Sequence, residues 1–139
     1  MINNFRNKYY FLSNFYNAFV SYKGIVYSNN EAAFQAQKTL NPKLKEKFKS
    51  LPPNEAKRIG RQVTLRPDWE EIKDQIMYEI CFAKFTQNED LKEKLLETKD
   101  EHLEEGNTWG DTYWGTVNGK GKNKLGEILM RIRKELLDG

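Results

Sequence analysis

Histidine and cysteine are almost missing from this 139-residue chain, which has one of each, His102 and Cys81. A lone cysteine closes no disulfide within the chain and gives no support for an oxidising compartment. A zinc site of the Cys/His type lacks its ligands, and so does a site of two histidines and a carboxylate. A nucleophilic triad would have to depend on His102, which lies in the charged run Lys99-Asp100-Glu101-His102. No metal and no cofactor are therefore expected. Long apolar runs are absent as well. Without 18 consecutive apolar residues no membrane-spanning helix is expected. The opening Met1-Ile2-Asn3-Asn4-Phe5-Arg6 lacks the apolar stretch of a signal peptide, so a cytoplasmic protein is the expectation. A strong charge of one sign is also lacking: 23 Lys+Arg against 20 Asp+Glu leave +3, too little to argue for nucleic-acid binding. Any chemistry must rest on carboxylates, lysines, arginines, amides and aromatic rings.

What the chain does have is unevenly spread. Ten of its 18 aromatic residues fall within the first 34 positions. Ala18 to Tyr22 and Ile25 to Tyr27, separated by Lys23-Gly24, read as a β-hairpin rich in aromatic and β-branched residues. A two-stranded hairpin is marginal by itself, so it must pack on helices or a further strand. Asn29 and Asn30 supply an N-cap for a helix predicted over Glu31 to Leu40. Further helices are predicted over Lys43–Ser50, from Pro52-Pro53 to about Val63, over Trp69–Gln87, over Asp90–Thr98, and from Leu125 onward. Between 106 and 126 lie six of the nine glycines, a density that signals unusual backbone angles or close main-chain approach. With no repeat, linker or low-complexity tract, residues 1–139 read as a single α+β domain. It is mostly helical, with a small aromatic-rich β-element near its N-terminus.

Three constellations carry chemical potential. Glu31, Phe34, Gln35 and Lys38 recur at i, i+3, i+4 and i+7, placing a carboxylate, a ring, an amide and an ammonium on one helix face. An exposed Glu–Lys pair is the ordinary explanation of such a face. The neighbouring aromatic hairpin and the alanines between favour a face turned into a cleft. Lys57 and Arg61, four residues apart, project on one side and suit a phosphate, although spacing alone equally describes an ordinary basic face. Gly60 between them costs about 1 kcal/mol relative to alanine in a helix, which argues for close contact with a neighbour. The third is Trp109-Gly110-Asp111-Thr112-Tyr113-Trp114-Gly115, continuing to Asn123 and Gly126. Its rings beside a carboxylate suit a flat heterocycle, or equally a loop pinned to the core. Gly121-Lys122 is followed by Asn123, so no P-loop is present. Cys81 reads as a core thiol and His102 as a surface residue.

Taken in order, these stretches resemble the NADAR family. The resemblance runs from Phe11-Leu12-Ser13-Asn14-Phe15, through Tyr27 to Lys38, to Ala56-Lys57 with Gly60-Arg61. It continues at Trp69, Met77, Lys84-Phe85, Leu103-Glu104-Glu105 and Asp111 to Gly115, and ends at Asn123 with Leu125-Gly126. One position departs: Ala32 stands where the family usually has a histidine after the glutamate. The resemblance implies cleavage of N-glycosidic bonds. Bacterial members act on phosphoribosylamino-pyrimidine intermediates of riboflavin synthesis, and other members remove ADP-ribose from modified guanine in nucleic acid. A small phosphorylated ribosyl substrate is thus expected, with ADP-ribosylated guanine or a non-catalytic ADP-ribose-binding module as alternatives.

Breaking a ribose C1–N bond builds positive charge on the sugar, which a carboxylate near C1 stabilises. Glu31 and Asp111 are the candidates for that task. Trp114 would stack on the heterocycle, Lys57 and Arg61 would hold phosphate, and Phe34, Gln35 and Asn123 would line the substrate. The resemblance also implies a lysine that forms a Schiff base with C1; Lys38 is the first choice and Lys57 the second.

Overall fold

A computed structural model describes all residues from 1 to 139. Helices dominate, with one two-stranded antiparallel sheet near the N-terminus. The chain folds as two compact units, residues 14–88 and residues 1–13 with 89–139.

In the unit of residues 14–88, strands β1 (Asn17–Tyr22) and β2 (Ile25–Asn29) form the predicted hairpin. Val20 pairs with Tyr27, Ser21 with Val26 and Tyr22 with Ile25, and a bulge follows toward Asn17 and Asn29. Both turn residues take left-handed angles, Lys23 at φ 49° and Gly24 at φ 85°, the conformation whose twist suits a two-residue hairpin. One face of the hairpin buries Val20, Tyr22 and Tyr27, while Phe19 and Val26 on the other remain exposed. Helices α1 (Asn30–Ala36), α2 (Pro42–Phe48), α3 (Pro53–Gly60) and α4 (Trp69–Gln87) complete the unit. Trp69, Ile76, Met77, Ile80, Cys81 and Phe85 form the buried stripe of α4. The free edge of β1 receives side chains from the end of α4 in place of a third strand. Gln87 accepts from Ser21 N at 2.7 Å and donates to Ser21 O at 2.9 Å, and Asn88 donates to Phe19 O at 3.0 Å.

In the other unit, helices α5 (Glu89–Glu97) and α6 (Lys124–Asp138) are in contact, and Leu91 and Leu95 of the first and Leu125, Leu129 and Ile132 of the second are buried. Residues 7–12 form a 3₁₀-helix where the sequence shows no usable period. The glycine-rich stretch has no regular element and is knitted by backbone bonds. Examples are Asn107 N to Thr116 O at 2.8 Å, Lys122 N to Thr112 O at 2.8 Å and Leu125 N to Trp114 O at 2.9 Å. Gly121, at φ 147°, lies against the carbonyls of Gly115 and Thr112, so glycine is required there for angle and for space.

The first helix ends earlier than its sequence suggests. It stops at Ala36, not Leu40, because Gln37 N bonds Phe34 O and Lys38 N bonds Gln35 O, closing two tight turns. The Gln37 side chain donates to Ala33 O and to the Tyr27 hydroxyl, which fixes this ending in the core. The remaining helices begin and end within a few residues of their predicted limits, and α4 matches at both ends.

Candidate active site

Helix α1 has seven residues, and all seven are buried. Asn29 caps it by accepting from Ala32 N at 2.8 Å. Three alanines, Ala32, Ala33 and Ala36, have no exposed surface and permit close approach of neighbouring elements. A carboxylate in such a place is costly unless it is hydrogen-bonded. Glu31 is 9% exposed, and Gln35 donates from Nε2 to its Oε2 at 2.6 Å. Phe34 lies against Trp69 with ring centroids 5.1 Å apart, so this phenyl is a packing element of the same face.

Lys38 sits in the turn after α1, two residues beyond the helix that was expected to carry it. Burial lowers its pKa below the ordinary lysine value, and the positive charges of Arg61 and Lys73 act the same way. The Glu31 carboxylate opposes them. Glu31 and Gln35 of α1 are joined by their hydrogen bond, Lys38 just past its end feels the Glu31 charge, and α3 packs alongside the helix. Lys57 of α3 is half-buried, with its Nζ 5.8 Å from the centre of the Phe15 ring, and Arg61 is exposed just past the end of α3. The surroundings of Lys38, the first choice for amine chemistry, thus favour its neutral form.

A third amine escaped the sequence reading. Lys84 of α4 is 1% exposed, between the rings of Tyr16 and Phe85 at 5.6 and 5.1 Å, and desolvation pushes its pKa down to about 8. The signal was present: Lys84 falls four residues after Ile80 and three after Cys81, inside the buried stripe of α4.

The remaining candidates lie in the other unit. Asp111 is half-buried, and its Oδ1 accepts from Tyr113 N at 3.0 Å and Trp114 N at 2.9 Å, so this oxygen shapes the loop that carries it. Asn107 braces the same turn, accepting from Asp111 N and donating to Asp111 O. Trp114 is half-buried and meets Tyr113 edge to face, with centroids 4.8 Å apart. Asn123 is buried at φ 51°; its Oδ1 accepts from Glu105 N and its Nδ2 donates to Leu103 O, both at 2.9 Å. No three His, Cys, Asp or Glu side chains converge in a way that would hold a metal ion. No helix is long and apolar enough to cross a membrane.

A mostly helical α+β fold with a small aromatic hairpin and a buried Glu–Gln pair defines a recognisable class. It matches the NMR structure of YbiA from Escherichia coli with a TM-score of 0.85 and 36% identity, over 99% of this chain and 88% of that one. The NADAR domain profile matches residues 2–137, and the chain belongs to the NADAR family. It is 41% identical over 128 residues to the N-glycosidase YbiA of Shigella flexneri, spanning 89% of this chain and 79% of the relative. A riboflavin biosynthesis protein of Vibrio vulnificus is 38% identical over 130 residues, covering 91% of this chain and 35% of that longer protein.

Proposed function

We infer that this chain is an N-glycosidase, a hydrolase of N-glycosyl bonds. We propose that it cleaves the ribose C1–N bond of a phosphoribosylamino-pyrimidine of riboflavin synthesis. The observation that carries the reading is the buried Glu31 carboxylate, held by Gln35 and followed by Lys38, whose amine burial biases toward its neutral form. The names of the relatives point the same way: N-glycosidase for one, riboflavin biosynthesis for another.

In the proposed reaction the C1–N bond breaks with its electron pair going to the leaving nitrogen, which gains a proton. Glu31 stabilises the cationic sugar that develops at C1. The neutral Lys38 amine adds to C1 and gives up a proton; the ring C1–O4 bond then breaks with O4 taking a proton, and water hydrolyses the resulting imine to release ribose 5-phosphate and the free lysine. Lys57 and Arg61 are assigned to the phosphate. Asp111 is the second candidate carboxylate and Trp114 the stacking ring, each to be tested by its own substitution.

Incubation of the purified chain with the pyrimidine substrate, followed by mass spectrometry, should show release of the aminopyrimidine and ribose 5-phosphate. Release of ADP-ribose from modified guanine instead would redirect the assignment to nucleic-acid repair. Binding of ADP-ribose without turnover of either substrate would leave a binding module. Borohydride added during turnover should trap an adduct on Lys38; an active enzyme without an adduct would indicate direct attack by water.

A further inference from the structure

Gln35 has an unusual arrangement that the chemistry above does not explain. Its side chain is 6% exposed, its Nε2 donates to Glu31, and its Oε1 is shut from solvent with no hydrogen-bond partner. An orphaned buried carbonyl is costly, so the fold tolerates a penalty at this spot. Turning the amide over would relieve nothing, because the carbonyl would then face the Glu31 carboxylate. The orphaned oxygen lies over Gly60 of α3. A methyl group on Gly60 would overlap Gln35 Oε1, approach Cδ to 2.6 Å and crowd Cβ at 3.1 Å. Gly60 is an ordinary helical residue, so its backbone angles do not call for glycine. Space for the Gln35 amide is what calls for it.

We propose that Gln35 and Gly60 form a positioning pair for the catalytic carboxylate: Gln35 holds Glu31 Oε2 by a charge-assisted hydrogen bond, and Gly60 provides the seat that lets the amide reach it. Gln35 then acts through Glu31, with its oxygen sealed beneath α3. The inference rests on Glu31 as the catalytic carboxylate, and it adds to that reading a residue on a second helix that touches no substrate.

Gln35→Met keeps the volume and removes the donor, while Gly60→Ala keeps the donor and closes its seat. Each should lower kcat about 10- to 100-fold, as the loss of a preorganised charge-assisted bond does, with KM within twofold of the parent. Because both act on one bond, the double variant should be no slower than the worse single one. A spectroscopic readout keeps the test independent of turnover. In the folded full chain the Gln35 side-chain amide protons should be widely split by the bond to Glu31, and Gly60→Ala or Glu31→Gln should collapse that splitting. Collapse with kcat unchanged would overturn the positioning role. A raised KM at unchanged kcat in Gln35→Met would make Gln35 a direct substrate contact and overturn it as well. Full activity in Glu31→Gln with the amide splitting lost would instead remove the functional reading beneath it.

Discussion

Two carboxylates offer themselves for the same chemistry, and their surroundings differ. Glu31 sits on a helix with every residue buried, and its carboxylate is held by another side chain, the Gln35 amide. Asp111 sits half-buried in a glycine-rich loop, and its Oδ1 holds the backbone N–H groups of Tyr113 and Trp114. One carboxylate is held by the fold, whereas the other helps to hold it. A group kept in place by side chains of a rigid helix meets the geometric demand of catalysis better than one whose charge organises its own loop.

The sharpest way to break this contrast is to neutralise each acid with little change of shape. Glu31→Gln should lower kcat/KM by about 1,000-fold or more while the thermal transition survives. Asp111→Asn retains an oxygen that accepts both backbone bonds, and should cost about 10-fold or less. Steady-state kinetics on the two variants decide it, and the reverse order would transfer the principal role to the loop.

Buried charge in the helical unit should also be visible in its stability. Lys84 titrates near pH 8 when folded and near 10.5 when unfolded, a difference of roughly 3 kcal/mol between its protonation states. Between these values the unfolded chain binds more protons than the native one, so stability rises with pH from about 8. The penalty is fully present below pH 8. Denaturant titrations between pH 7 and 10 should show this rise, and Lys84→Met should lose most of it. Lys38 and Lys45 are lowered in the same direction and account for a residual slope. Above pH 10 the sign reverses, because burial and Glu79 keep Tyr22 protonated when its unfolded counterpart ionises.

In the loop unit the comparison predicts a structural loss at Asn123 and a loss of substrate affinity at Trp114. Asn123→Ala removes two hydrogen bonds to backbone and places alanine at a left-handed angle, so it should cost about 2–3 kcal/mol in chemical denaturation. Trp114→Leu should have the smallest effect, raising KM about threefold with the melting temperature little changed. An unaltered KM would assign Trp114 to packing against Tyr113.

How much of this was legible beforehand follows from what is local. The hairpin was readable because Lys23-Gly24 and its flanking residues specify it, and α4 because its apolar period runs unbroken for 19 residues. The end of α1 was not, since Gln37 closes it through contacts with Tyr27 and Ala33 that no short window reveals. The cost of Gly60 in a helix pointed to a close neighbour, and that neighbour is Gln35. Which residue would fill the space is a property of two helices meeting, and the linear sequence holds no period for it.

The amides of Gln87 and Asn88 along β1 have a consequence for behaviour in a crowded solution. A two-stranded ribbon with an exposed Phe19 presents the kind of edge on which other chains stack into aggregates. Here the Ser21 N–H and C=O and the Phe19 carbonyl are already engaged by side chains that end within one residue and cannot propagate a ladder. The end of a helix and its C-cap thereby occupy the backbone groups of Phe19 and Ser21 on which a third strand would dock.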